Sequence, residues 1–286
     1  MHKESVILRF EHIPTNGIKL HTALAGPLDG EPVILLHGFP EAWFGWENQI
    51  EPLAKAGFRV IVPDQRGYNL SDKPAGIENY SIRSLVKDIL GLAKALGLKN
   101  FHLAGHDWGA MVAWSLAIIA PRRIKRLAIA NVPHPSVFNS YLRSHPSQMI
   151  KSWYMMFFQL PGIPERFVKA SNWKFMVSAM PGYWEEKQYN RYREAWGQPG
   201  AIRAMINWYR AVSLFSRNQN TSTLVEPETL IMWGKKDPHL SWQMAELSLK
   251  HCRRGELVIF DDATHWVQHD KSTQVCKVLI DHFGSE

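Results

Sequence analysis

Two cysteines, Cys252 and Cys276, are too few in 286 residues for a disulfide framework, and no CxxC spacing pairs them with histidines as zinc ligands. A reducing, cytoplasmic setting is therefore expected. No apolar run approaches the roughly 18 residues that a membrane-spanning helix needs. The opening stretch MHKESVILRF is too polar for a signal peptide, so no membrane anchor is expected. Internal repeats and low-complexity tracts are also missing. Positive charge is in excess, at +7, but the densest basic run is PRRIKR at 121–126. It follows an apolar helical stretch, where basic residues complement the negative end of the helix dipole and face water. No aromatic-basic groove accompanies it, which argues against a nucleic-acid partner.

What is present suits a globular core. The hydrophobic fraction is 45%, and the length allows one large α/β domain or two modest ones. SVILRFEHIP and IKLHTALAG read as a hairpin turning at Asn16-Gly17, a favoured two-residue turn. Six short apolar runs follow, at 32–38, 58–64, 100–106, 126–132, 228–234 and 256–262. They show little alternation, as in parallel strands buried on both faces. Helical stretches lie between them, such as 81–97 with Ser81 as cap and Gly97 at its end. Strand-helix alternation predicts a doubly wound, mostly parallel α/β sheet with helices on both faces.

The alternation lapses over 133–219, which is rich in Trp, Tyr, Phe and Met at helical spacing, interrupted by Pro161, Pro164, Pro181 and Pro199. This segment is expected to form an inserted helical cap on a core made of 1–132 and 220–286, its aromatic content favouring a cap over an ordinary helical extension of the core. An apolar cleft between two such parts is where small ligands bind.

The stretch LAGHDWGAM at 103–111 has the outline of a nucleophile elbow, with Gly105 and Gly109 flanking a central acid, Asp107. FHLAG reads as a strand and MVAWSLAIIA as a helix, the strand–turn–helix context such a motif requires. Asp is also a good helix N-cap, so that plainer role stands beside the nucleophilic one. A carboxylate is ionised near neutrality and needs no base to activate it. It does need a histidine to activate water against the ester it forms, and an acid to orient that histidine. In this fold class the chain order is nucleophile, acid, histidine.

LIMWGKKDPHL places Asp237 after one strand, and VIFDDATHWVQHD places His265 after the next. Both are then at carboxyl ends of strands, where ligands bind in open α/β sheets. Among thirteen histidines, His239 is too close in sequence to Asp237 to serve as the separate base. His251 ends a helix, and His269 and His282 read as helix-surface residues. Asp261 and Asp262 compete weakly for the acid role, while Asn131 sits where a carboxylate could have served. In LLHGFPEAW, the backbone N–H of Phe39 is expected to join that of Trp108 as an oxyanion hole, and His37 is expected in a structural role rather than a catalytic one.

Taken together, HGFP, DQRGYNLSDKP, GHDWGA, NVPHP, FFQLPGIPE, NWYR, WGKKDPHL and THWVQHDK resemble the α/β-hydrolase superfamily, and within it the epoxide hydrolases, over nearly the whole chain. The resemblance implies the α/β-hydrolase fold with its cap, and attack of the aspartate on an epoxide carbon followed by hydrolysis of the ester to a vicinal diol. It also implies two cap tyrosines holding the epoxide oxygen, matched by Tyr154 and Tyr209. Without it, either ring reads as packing. The alternative on this scaffold is haloalkane dehalogenase, which Trp108 would suit. Those enzymes place a halide donor where this chain has Phe39. A non-catalytic ligand receptor is a remoter alternative, since Asp107, Asp237 and His265 are all in place. The expected partners are a small hydrophobic epoxide, aryl or fatty, and water. No cofactor or metal is called for. The chain starts close to the hairpin, so no preceding domain is expected, and it would act as a monomer or homodimer.

Overall fold

The computed structural model describes residues 6–214 and 224–285. Strands β1 (Arg9–Thr15), β2 (Ile18–Ala25), β3 (Glu31–Leu36), β4 (Phe58–Pro63), β5 (Phe101–His106), β6 (Ile124–Ala130), β7 (Glu228–Gly234) and β8 (Gly255–Phe260) form one sheet in the order β1-β2-β4-β3-β5-β6-β7-β8. Only the pairs β1·β2 and β2·β4 are antiparallel. Asn16 and Gly17 close the hairpin with φ of 40° and 77°, the left-handed pair that a two-residue turn demands.

Helices α1 (Glu47–Lys55), α2 (Ile82–Ala95) and α3 (Trp108–Ile119) connect the first strands. Between β6 and β7 come α4 (Pro135–Ser144), α5 (Pro146–Lys151), α6 (Trp153–Phe157), α7 (Ile163–Ala170), α8 (Lys174–Ser178), α9 (Glu186–Gly197) and α10 (Ala201–Leu214). The chain then adds α11 (Gln243–Leu249), α12 (Val267–Asp270) and α13 (Ser272–Gly284). Ser81 caps α2, its hydroxyl accepting from Ser84 N. Pro164 does not break a helix as its spacing suggested. It sits in the first turn of α7, where the missing N–H costs nothing.

The absence of alternation in the central strands has a direct cause. Ile34 and Leu36 of β3 pack into one apolar layer, while Val33 and Leu35 pack into the other. The run at 256–262 departs from that expectation. β8 lies at the sheet edge and is half-exposed, so it needs apolar residues on one face more than on both. His282, expected on a helix surface, is instead buried, with its ring Nε2 3.0 Å from Leu127 O.

Two features of the topology position the site. First, β3 pairs with both β4 and β5, so the chain reverses its direction of travel across the sheet beside β3, leaving a crevice at the carboxyl ends of β3 and β5. Second, the segment between β6 and β7 is tied across that end by indole N–H groups. Trp196 Nε1 donates to Pro40 O at 2.6 Å and Trp208 Nε1 to Arg66 O at 3.0 Å. The lower expected boundary of the inserted segment follows β6 directly, and the upper one, at 219/220, lies outside the described residues.

Arg66 is anchored below by Asp88 of α2 through two contacts of 2.6 Å, and both side chains are buried. Removing one member of such a pair leaves an uncompensated buried charge. Asp88→Ala is therefore expected to lose about 3–5 kcal/mol in urea unfolding, and Arg66→Met/Asp88→Met to recover most of it. A single variant as stable as the parent would contradict this account of the loop.

Candidate active site

Asp107 stands between β5 and α3 with φ 49° and ψ −124°. A non-glycine residue held at left-handed φ costs on the order of 1–3 kcal/mol, so the surroundings must impose it. They do so by close approach. A Cβ on Gly109 would meet Leu36 O at 2.2 Å, and one on Gly38 would meet the Asp107 side chain at 2.3 Å. Only glycine lets β3, the loop after it and the turn come this near. The Asp107 carbonyl accepts from Ala110 and Met111 N, but its side chain makes no capping bond. The carboxylate turns into the crevice instead, where Phe39 N donates to Oδ1 at 2.7 Å.

Asp107 Oδ2 is 3.5 Å from His265 Nε2, and His265 Nδ1 is 2.7 Å from Asp237 Oδ2. Asp237 is itself over-determined. His239 N and Leu240 N donate to its Oδ1, and Asn131 Nδ2 donates to its Oδ2 at 2.8 Å. Asn131 thus serves as a donor to the acid rather than as an acid. Its own Oδ1 accepts from Gly234 N. Asp261 and Asp262 point to solvent and pair with Lys235 and Lys271.

Burial alone would raise both carboxyl groups, but the hydrogen bond and charge of His265 hold Asp107 below the usual range, with His106 and the Phe39 N–H assisting. Asp237 is lowered against its burial by His265, His239 and Asn131. For His265, burial opposes the charged form, and the two flanking carboxylates outweigh it, raising the imidazole to about 10. At neutral pH the group is an imidazolium between two carboxylates.

A cavity of about 430 Å3 opens above Asp107, bordered by Phe39, Tyr154, Phe158, Tyr209, His239 and His265. A second hollow of about 130 Å3 lies on the other side, against Trp108, Phe138 and Leu240. Asp107, Tyr154 and Tyr209 border both. The two tyrosine rings stand 5.9 Å apart at 82°, and the Tyr209 ring meets Phe39 and Trp108 edge-on at 5.2 and 5.0 Å. Burial first, then the Asp107 charge, pushes both phenols far above their ordinary range, so they stay protonated donors. Of the seven residues singled out in the sequence, Phe39, Asp107, Tyr154, Tyr209 and His265 border the larger cavity, Trp108 borders the second hollow, and Asp237 stands behind His265.

Three neighbours have no local sequence signal that places them here. His239, set aside for its closeness to Asp237, lines the cavity with its ring 5.3 Å from that of His265. Burial and the His265 charge lower it to about 4, so it is a neutral polar group there. Glu41 and His106 lie beneath: His106 Nε2 is 2.9 Å from His265 O, and its Nδ1 is 3.3 Å from Glu41 Oε2. The fully buried Glu41 also meets His269 Nε2 at 2.7 Å and the Tyr192 hydroxyl at 3.0 Å. His269 is therefore no surface residue as expected, but packs between Glu41 and the Trp184 ring. His37 is structural: Gln65 N donates to its Nε2, and its Nδ1 faces Gly38 O. No group of three or more His, Cys, Asp or Glu among the described residues could hold a metal ion.

A family profile described as the α/β hydrolase fold matches residues 31–272. The chain is 42% identical over 284 residues to AB hydrolase superfamily protein YfhM of Bacillus subtilis, covering 98% of this chain and 99% of that one. It is 34% identical over 281 residues to human epoxide hydrolase 4, covering 94% and 77%. The crystal structure of Bacillus megaterium epoxide hydrolase in complex with an inhibitor superposes with a TM-score of 0.87 at 28% identity, covering 97% and 100%.

His265 gains affinity for its proton on folding, so its contribution to stability is complete below about pH 6.5, its unfolded value. It is lost as pH rises toward about 10. The stability gap between the parent and His265→Gln, read by urea unfolding, should be about 3 kcal/mol near pH 6 and shrink steadily toward pH 10. A gap that is flat or widens over that range would contradict the charge assignment.

Proposed function

Because the chain belongs to the α/β-hydrolase superfamily and, within it, to the epoxide hydrolase family, we propose that this α/β hydrolase opens small hydrophobic epoxides to vicinal diols through an ester on Asp107. The observation that carries the reading is the pair of phenols across the cavity from an ionised carboxylate. An epoxide oxygen leaves as an alkoxide, a poor leaving group, and protonated phenols beside it lower the barrier. A departing halide needs only weak donors, and the loop after β3 offers Phe39, whose side chain has none.

In the proposed course, Asp107 Oδ2 attacks one ring carbon and the carbon–oxygen bond breaks. Tyr154 and Tyr209 donate to the new alkoxide, which takes a proton from one of them. Oδ1 becomes the ester carbonyl oxygen and keeps the Phe39 N–H, which sits 2.7 Å from it. The N–H of Trp108, in the first turn of α3, is its second donor, since such groups lack intrahelical acceptors. Esterification removes one of the two anions that raise His265. The imidazolium can then restore the tyrosine proton and become the neutral base that the second step needs. His265, oriented by Asp237, takes a proton from water and hydroxide adds to the ester carbonyl carbon; as the adduct collapses, its hydroxyl proton passes to the departing alkoxide, which frees the diol and the Asp107 carboxylate and leaves His265 protonated as at the start. Residues 133–219 act in this reading as the cap that carries the tyrosines and closes the apolar cleft.

Purified protein should convert styrene oxide or related epoxides to diols and release little halide from haloalkanes. Tyr154→Phe and Tyr209→Phe should each slow the ring-opening burst by about 10–100-fold, and the double variant by about 10³-fold or more. Rapid halide release without epoxide turnover would overturn the reaction, and an unchanged burst in the double variant would remove the tyrosines from it.

A further inference from the structure

The exposed apolar residues of this chain are unevenly placed. Met149, Ile150, Trp153, Met156, Ile163 and Phe167 all fall on α5, α6 and α7, with Ile150 and Met156 each 74% exposed and Trp153 56% exposed. They are not scattered over that surface. The rings of Trp153 and Phe157 are 6.0 Å apart and those of Phe157 and Phe167 are 5.7 Å apart, which joins α6 to α7 in one apolar face. Large apolar patches of this kind mark sites where something else docks.

Charge decides which partner fits. From Arg143 to Ser178 the chain carries five basic residues, Arg143, Lys151, Arg166, Lys169 and Lys174, and a single acid, Glu165. Glu165 is already taken by Arg210 at 2.6 Å. Arg143, Arg166, Lys169 and Lys174 are exposed, and among the described residues none of them is in an ion pair. A second copy presenting the same face would bring like charges together. An anionic bilayer offers hydrocarbon to the apolar side chains and phosphates to the basic rim, the combination that holds interfacial helices.

The position of this face relative to the site gives docking a purpose. Ile150 and Trp153 belong to the exposed face and also border the 430 Å3 cavity above Asp107. We propose that α5–α7 dock on anionic phospholipid membranes, with the cavity mouth facing the lipid. An apolar epoxide dissolved in the bilayer would then enter without crossing water, and the more polar product would leave to solvent. The substrate side of this inference rests on the epoxide reading; the docking itself is measured with no substrate present.

The test is flotation of the intact protein with phosphatidylcholine vesicles and with mixed phosphatidylcholine–phosphatidylglycerol vesicles, at low and high salt. Partitioning onto the anionic vesicles should exceed that onto neutral ones by about tenfold and fall with salt. Arg166→Glu/Lys169→Glu and, separately, Met156→Glu/Ile163→Glu should each weaken it about tenfold, while circular dichroism shows both variants folded. No binding of the parent to anionic vesicles, or binding unchanged by both pairs of substitutions, overturns the proposal. A stable dimer in light scattering that Met156→Glu/Ile163→Glu splits would overturn it as well, by assigning the face to a second copy.

Discussion

The partly buried charge of Asp107 is the constraint around which the neighbouring structure is arranged. A carboxylate taken out of water needs compensation, and here it comes from two directions: the Phe39 N–H on one oxygen and the His265 imidazolium facing the other. Each of these has its own requirements. Phe39 reaches Asp107 because β3 and β5 are neighbours with Leu36 opposite Gly105, and because Gly38 leaves no side chain in the way. His265 is held by Asp237, and Asp237 by Asn131 and two backbone N–H groups at the head of its loop. The left-handed turn at Asp107 is thus affordable only in a sheet whose strand order puts these loops side by side.

The same charge reaches into the helical segment above it. Together with burial, it keeps the Tyr154 and Tyr209 phenols protonated, so in the proposed reaction the anion that attacks also maintains the donors that the leaving group needs. Forming the ester would relax the arrangement that favours the imidazolium and release the base for the second step. The segment that carries the tyrosines also carries the apolar, basic outer face. The proposed chemistry and the proposed route of substrate entry therefore meet on α6, where Trp153 and Tyr154 both border the cavity.

Much of this could be read from the sequence wherever local pattern and local geometry coincide. The turn at Asn16-Gly17, the unalternating runs of β3 to β7 and the small residues around Asp107 each encode their own conformation. Long-range partners could not be read in the same way. Glu41 meets His106, Tyr192 and His269 from three distant parts of the chain, and nothing near any of them announces the meeting. His269 and His282 sit at helical positions that look solvent-facing until α12 and α13 are packed on the core. His239 stands too near Asp237 in sequence to be expected as a separate site group, yet the turn after Asp237 points its ring back into the cavity. The run that becomes β8 matched a buried strand in composition, and only the strand order shows it at an edge.

In the proposed reaction Asp107, and not water, makes the first bond to the substrate. A single turnover of excess protein with an epoxide in heavy-oxygen water tests it most directly. The first diol should carry no solvent label, and the label should appear in the Asp107 carboxylate when the peptide is analysed by mass spectrometry. Solvent oxygen in the first diol, with an unlabelled Asp107, would contradict it.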